Sequence, residues 1–302
     1  MALVEATNIV KDYSGHRALD NLSISVEEGI VYGLLGPNGA GKTTFIRILN
    51  QITMPDSGEI LFDGHKLCQQ DIASIGYMPE ERGLYKKMGV GEQSIFLAQL
   101  KGMSKADAKE RLKIWFEKFG ISDWWNRKVE ELSKGMQQKV QFITTVLHQP
   151  RLLIFDEPFS GFDPINANLL KNEILELRNN GTTVIFSTHN MASVEEICDN
   201  ITLINQSKAV LSGSVWDVKQ QYKENMFDIK FVGDANKLAS DSQIEILSTG
   251  QTHDYQIATI RSREITSANE LIRHVLEKVD IVGFEEKLPT MNDIFIKTVT
   301  KQ

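Results

Sequence analysis

Apolar and polar positions change period several times along the chain, and each change marks an element. Leu22, Ile24 and Val26 alternate with polar neighbours, as in a half-buried strand. Val31 to Leu35 is an uninterrupted apolar run short enough to be a strand buried on both faces, and Leu152 to Phe155 and Thr183 to Phe186 repeat that pattern. Between them the period lengthens. Residues 43–49 read as the first turns of a helix. From Gly83 to about Trp125 the pattern is helical, with Ala108, Leu112, Trp115, Phe116 and Phe119 on one face. A further helix is predicted from about Gln137 to Leu147. Short buried strands alternating with helices predict an α/β fold with a parallel sheet.

After Gly213 the pattern is that of a separate α+β unit of about 80 residues. Phe227, Ile229 and Phe231 alternate as a strand, and Ile244 with Ile246 and Tyr255 with Ile257 mark two more. Ser267 to Glu270 fits a capping box ahead of an apolar helical face at Leu271, Ile272, Val275, Leu276 and Val279. Ile281 to Phe284 reads as a last strand, and a Pro289–Phe295 element follows.

The chemistry sits where the first unit changes period. Gly36-Pro37-Asn38-Gly39-Ala40-Gly41-Lys42-Thr43-Thr44 meets every fixed position of G-x-x-x-x-G-K-[ST], between a predicted strand and a predicted helix. Glycines there let the backbone approach phosphate oxygens, and N–H groups at the helix start face them. Lys42 would place an ammonium on the β- and γ-phosphates of a nucleotide triphosphate, and Thr43 a hydroxyl on Mg²⁺. A glycine-rich turn that matches by chance is the plain alternative. Asp156 and Glu157 end the buried run Leu152–Phe155, where two adjacent carboxylates are costly unless compensated. Mg²⁺ on Asp156 compensates them and leaves Glu157 to hold the attacking water as general base; a solvated strand end is the alternative.

With Leu132-Ser133-Lys134-Gly135-Met136-Gln137-Gln138 added, the chain resembles the ATP-binding subunit of ABC transporters over about its first 215 residues. The resemblance implies a P-loop NTPase of ABC type, with an antiparallel β subdomain, a helical subdomain at about 83–147, and a small α+β domain at 216–302. It implies that Tyr13 stacks on adenine. Ser133, Lys134, Gly135 and Met136 would form the signature loop that meets the nucleotide of the opposite subunit. Ser160-Gly161-Phe162-Asp163 would be a D-loop in which Asp163 lies at the dimer interface, and His189, after Thr188, would be the switch histidine on the γ-phosphate. Taken singly, Tyr13 also reads as a strand tyrosine, His189 as a structural histidine, and Ser133 with Gly135 as a helix cap. Their order and spacing in one chain favour the family reading.

Three positions depart from the common pattern. The signature is Ser-Lys-Gly-Met where Ser-Gly-Gly-Gln is usual. Glu80, in Tyr77-Met78-Pro79-Glu80-Glu81-Arg82, stands where a glutamine usually meets Mg²⁺ and the membrane partner. Phe162 replaces the usual D-loop leucine. The first two resemble a subgroup of export-type ATPases that includes sodium-efflux subunits, and residues 216–302 resemble the accessory domain of some of these.

The implied activity is Mg²⁺-dependent hydrolysis of ATP to ADP and phosphate. It would be driven by a homodimer, or a pair with a related subunit, and coupled to export through a separate transmembrane permease. The chain would be cytoplasmic, peripheral on the inner face of the membrane. A soluble ABC-type ATPase of translation or DNA repair is the second hypothesis. Such proteins carry two tandem nucleotide halves or long heptad coiled coils, and neither pattern occurs here. A regulatory module without turnover is a third, opposed by the presence of both Glu157 and His189.

Composition agrees. At 302 residues, 41% hydrophobic and 24% charged, the chain is ordinary for a globular protein. No stretch approaches the roughly 18 apolar residues of a membrane span, and no signal peptide is legible. A net charge of −7 argues against broad nucleic-acid or anionic-lipid binding. Cys68 and Cys198 show no metal or redox spacing, which predicts a reducing compartment.

Overall fold

The computed structural model describes residues 1–300 apart from Arg82, Gly161 and Thr266. Arg82 of the Glu80 loop and Gly161 of the D-loop quartet thus lie outside the described residues. The chain divides into two compact units, Met1–Val215 and Trp216–Gln302.

The first unit opens with a long hairpin, β1 (Ala2–Tyr13) and β2 (His16–Glu27). Then come β3 (Val31–Leu35), α1 (Lys42–Leu49), β4 (Ser57–Phe62), β5 (His65–Lys66) and β6 (Ile75–Met78). A helical segment follows, with α2 (Val90–Leu100), α3 (Lys105–Lys118) and α4 (Lys134–Val146). The unit ends with β7 (Leu152–Asp156), α5 (Pro164–Asn179), β8 (Thr183–Thr188), α6 (Met191–Ile197), β9 (Asn200–Asn205) and β10 (Lys208–Ser214). Residues 83–89, inside the predicted helical pattern, form no helix.

Two sheets carry this unit. One is antiparallel in the order β2-β1-β4-β5; the other runs β10-β9-β3-β8-β7-β6 and is parallel except for β10. Every residue of β3, β7 and β8 is buried, which is why these strands read as continuous apolar runs. Because β8 lies between β3 and β7, the C-terminal ends of all three are adjacent. Ligands bind outside those ends in open parallel sheets. The apolar faces of α1 and the hairpin pack on this sheet through Phe45, Ile46, Leu19 and Leu22, all fully buried. On α3 the predicted face is buried at Ala108, Leu112 and Phe116, and Trp115 packs edge-on to Phe142.

The second unit contains α7 (Val215–Gln221), which straddles the boundary between units, then β11 (Met226–Val232), α8 (Asn236–Ala239), β12 (Ile244–Gln251), β13 (Gln256–Ser262), α9 (Ala268–Leu276), β14 (Asp280–Lys287) and α10 (Met291–Thr300). Its sheet, ordered β12-β13-β11-β14, is antiparallel throughout. That order with a βαββαβ sequence is the ferredoxin-like split arrangement. Phe227, Ile229, Phe231, Ala258 and Ile260 bury one sheet face against Leu271 and Val275 of α9. The predicted capping box is not formed, since the Ser267 side chain accepts no cap hydrogen bond. β14 extends beyond Ile281–Phe284 because Glu285, Glu286 and Lys287 still pair with β11.

Candidate nucleotide site

The loop after β3 is held in a shape that glycine alone permits at two points. Gly36 has φ +148°, and a Cβ there would lie 2.2 Å from the Ile204 carbonyl oxygen. Gly41 has φ +116°, and its Cβ would lie 2.5 Å from the Ala18 carbonyl oxygen. Gly41 is also the N-cap of α1 and supplies no side-chain cap. The leading N–H groups of α1 therefore face the cleft, with the positive end of the helix dipole behind them.

That cleft has a volume of about 390 Å³. Asn38, Gly39, Ala40, Gly41, Lys42, Thr43 and Thr44 line it together with Tyr13 from the hairpin and the carboxylates of Glu80, Asp156 and Glu157. Tyr13, at the end of β1, is 40% exposed, so its ring is open to a ligand. Gly36 and Pro37 contribute carbonyls. The Lys42 ammonium donates to both, at 2.7 and 3.1 Å, and so occupies the loop itself. Burial pushes the Lys42 ammonium below its ordinary pKa, against the pull of Glu157, Asp156 and Glu80.

Asp156 is 3% exposed, and its Oδ2 accepts from Thr43 Oγ1 at 3.2 Å. Burial pushes its carboxyl above the usual range, and the charges of Glu157 and Glu80 add to that rise. Three carboxylates face one ammonium, so the site carries uncompensated negative charge beside a hydroxyl. A hard, oxygen-seeking divalent cation matches this donor set. Thr43 and Asp156 would hold it, with Glu80 lining the same cleft.

Glu157 follows directly in a left-handed conformation, φ 49°, uncommon for a residue with a Cβ and typical of functional sites. The geometry turns its carboxylate toward the end of β8. Oε1 accepts from the His189 backbone N–H at 2.9 Å and lies 2.6 Å from His189 Nδ1, while Oε2 accepts from Thr188 Oγ1 at 3.1 Å. An ionised carboxylate only accepts, so Nδ1 carries the hydrogen. Three of roughly four acceptor sites are filled, which leaves one on Oε2 for a water.

The remaining predicted residues lie elsewhere on the chain. Ser133 caps α4, its Oγ accepting from Met136 N–H at 3.3 Å. The helix thus begins at Lys134, ahead of the predicted Gln137, and Lys134, Gly135 and Met136 form its first turn. None of the four lines the cleft of their own chain. Asp163 caps α5, accepting from the N–H groups of Ile165 and Asn166, each at 3.0 Å. Hydrogen bonds from Asn166 lead in holding its carboxyl below the usual range.

Sequence reasoning missed four residues. His16 and Ala18 line the cleft beside Tyr13 because the hairpin pairs Tyr13 with His16. Gln138 and Gln141 are each 5% exposed on α4. Gln138 Nε2 donates to Pro158 O at 2.7 Å and Gln141 Nε2 to Pro79 O at 3.0 Å, so the helix behind Ser133 is tied to the residues flanking Glu157 and Glu80. No sequence signal marked these two glutamines, because the helix face that carries them is largely polar, with Lys134 and Thr145 on it.

The fold and this loop together define a P-loop nucleotide-binding protein of the ABC type. Residues 19–160 match the ABC transporter family and residues 213–299 the "ATP-binding protein DrrA1-3-like, C-terminal domain". The chain is 41% identical to an uncharacterized ABC transporter ATP-binding protein, YhaQ of Bacillus subtilis, over 97% of each chain. It is 30% identical to the linearmycin resistance ATP-binding protein LnrL of the same organism, over 95% of this chain and 88% of that one. A solved ATP-binding subunit of an ABC transporter superposes with a TM-score of 0.68 at 29% identity, covering 73% of this chain and 93% of that one. The chain belongs to the ATP-binding proteins of ABC transporters, with a DrrA-like C-terminal domain.

Proposed function

We propose that this chain is the Mg²⁺-dependent ATPase subunit of an exporter, and that two copies close around two nucleotides while a separate permease carries the cargo. The observation that supports turnover is the Glu157 carboxylate, oriented by His189 and Thr188 beside Lys42, Thr43 and Asp156. In this reading Tyr13 stacks on the base, residues 36–44 cradle the phosphates, and Lys42 turns from the Gly36 and Pro37 carbonyls onto the β- and γ-phosphates. Thr43, Asp156 and Glu80 hold Mg²⁺, which neutralises phosphate charge. Glu157 takes the proton of the attacking water, and His189 contacts the γ-phosphate. Ser133, Lys134, Gly135, Met136 and Asp163 serve the opposite copy. Residues 1–215 act as the ATPase domain and 216–302 as an accessory domain.

Export is favoured by the relatives. LnrL is named for linearmycin resistance, and the C-terminal family for DrrA-like ATP-binding proteins. No helix among the described residues is long and apolar enough to cross a membrane. In the proposed reading the subunit works on the cytoplasmic face, attached through its permease.

Affinity purification from detergent-solubilised membranes tests the partner. A polytopic membrane protein should co-purify, and exclusive recovery with ribosomes or DNA would overturn export. Assembly is read by light scattering after size exclusion. Glu157→Gln with ATP and Mg²⁺ should accumulate dimers, and wild type with ADP should not. Monomers in both, at tens of micromolar protein, count against a sandwich formed by the isolated subunit.

A further inference from the structure

Outside the residues that line the nucleotide cleft, the turn after β5 gathers three different metal-binding side chains. His65, Cys68 and Asp71 each offer one ligand atom, and these atoms lie within 4.8 Å of one another. Among the described residues this is the one such grouping of three. The spacing is His-x-x-Cys-x-x-Asp, with His65 at the start of β5 and Cys68 as N-cap of the short 3₁₀ turn Gln69–Ser74.

We propose that His65, Cys68 and Asp71 bind a borderline-soft divalent metal ion of the Zn²⁺ class. Each ligand is already held by its surroundings. Asp71 Oδ2 accepts from Cys68 N–H at 2.8 Å, which leaves Oδ1 directed at His65 Nε2, 3.0 Å away. The Asp71 N–H donates to the Cys68 carbonyl at 3.1 Å, which closes the turn that brings the two side chains together. The His65 ring packs edge-on to Phe62, with centroids 6.5 Å apart.

Tetrahedral zinc holds nitrogen, oxygen and sulfur ligands roughly 3.3–3.6 Å apart, given bonds of about 2.0–2.3 Å. A separation at the 4.8 Å limit therefore closes by only about an ångström, while Nε2 and Oδ1, 3.0 Å apart, open by a few tenths. The imidazole is half exposed, so its turn toward the ion displaces little beyond its edge contact with Phe62. An ion seated on Nε2, Sγ and Oδ1 leaves the Oδ2 cap intact and its fourth position to water, the open arrangement of three-ligand zinc sites. Thiolate and imidazole disfavour Mg²⁺, so this site and the nucleotide site select different metals.

Co²⁺, which reports its ligands by absorption, is the probe. It is titrated into the tag-free full chain without nucleotide or Mg²⁺. We expect a thiolate-to-cobalt charge-transfer band with tetrahedral d–d absorption, saturating at one Co²⁺ per chain and bleached by Zn²⁺. Cys68→Ser should abolish the charge-transfer band, and His65→Gln should weaken Co²⁺ binding by about tenfold or more. The band should survive in Cys198→Ser, because Cys198 is buried against Gly33. ATP hydrolysis by Cys68→Ser should equal wild type, which establishes that the variant is folded. No band in wild type overturns the assignment, as does a band that survives Cys68→Ser or disappears in Cys198→Ser.

Discussion

Glu157→Gln separates the two tasks that the geometry allows this side chain. As an anchor, Glu157 accepts three hydrogen bonds, two from His189 and one from Thr188. A glutamine of the same shape keeps them. Its carbonyl oxygen accepts both His189 donors, and its amide nitrogen donates to Thr188 Oγ1, which both donates and accepts. The strand end and the His189 loop should therefore be unchanged. As a base, however, the amide cannot take a proton. General-base loss typically slows chemistry by about 10²–10⁴-fold, a barrier increase of roughly 3–5 kcal/mol. The substitution also removes one of the three carboxylates facing Lys42, so ATP affinity should hold or rise. Phosphate release in a single turnover gives the rate, and equilibrium titration with a fluorescent ATP analogue gives the affinity. Turnover within about tenfold of wild type would refute the base assignment and leave Glu157 as an anchor for His189.

Glu80→Gln tests metal sensing at the departure from the common pattern. Removing this charge should tighten ATP binding when Mg²⁺ is chelated, and the advantage should shrink or reverse when Mg²⁺ saturates. An affinity ratio that does not change with Mg²⁺ would count against it. Gly91→Ala would place a Cβ 2.5 Å from the Trp125 ring in α2, so overpacking of about 1–3 kcal/mol should outweigh the roughly 1 kcal/mol gain in helix propensity. The melting temperature should fall by about 2–4 °C, and a rise would show that Trp125 yields freely. Burial, reinforced by the Lys101 ammonium, pushes the His148 imidazole down to about 4. Its neutral form is favoured in the fold, so the associated stability is complete above about pH 6.5 and is lost as pH falls through 4, up to roughly 3 kcal/mol. Urea midpoints for His148→Leu should consequently fall less steeply than wild type between those values, and parallel curves would refute the argument.

The phosphate loop, Asp156–Glu157 and Thr188–His189 were legible in the sequence because chemistry fixes residue types at fixed offsets. The strands before them were legible because burial on both faces leaves no polar positions. Contacts set by register were not. His16 reaches the cleft only because β1 and β2 pair Tyr13 with His16, across several irregularities of register. The start of α4 was placed late because Ser133 and Gly135 were read together as lying ahead of the helix, whereas Ser133 alone is the N-cap and Gly135 lies in the first turn. The last strand was read too short because Glu285 and Lys287 are exposed edge residues and Glu286 is half-buried, with no apolar signature among them. At Ser267 the pattern S-x-x-E was present and the cap hydrogen bond was not, so a motif that depends on one local torsion is weaker than one that depends on a ligand. The His65–Asp71 turn shows the converse. Counting cysteine spacings alone passed over it, because its other two ligands are a histidine and an aspartate.

Charge balance connects the cleft to the proposed cycle. Without nucleotide, Lys42 bonds to the loop carbonyls while Asp156, Glu157 and Glu80 stand unneutralised across from it. A triphosphate adds more negative charge than Lys42 and the amides of α1 can offset, so on the proposed reading tight binding would draw on a cation held by Thr43 and Asp156. The donors of Ser133 and the first turn of α4 do not reach the cleft of their own chain. On the proposed reading they belong to the other copy's nucleotide, and the γ-phosphate is completely surrounded only when two chains meet. Gln138 and Gln141 then tie that first turn to Pro158 and Pro79, next to Glu157 and Glu80. A phosphate engaged by one chain's signature is thereby linked, through two buried amides, to the catalytic carboxylates of that same chain. On that reading the arrangement would tie occupancy of one cleft to the geometry of the other, as a subunit converting hydrolysis into opening and closing requires.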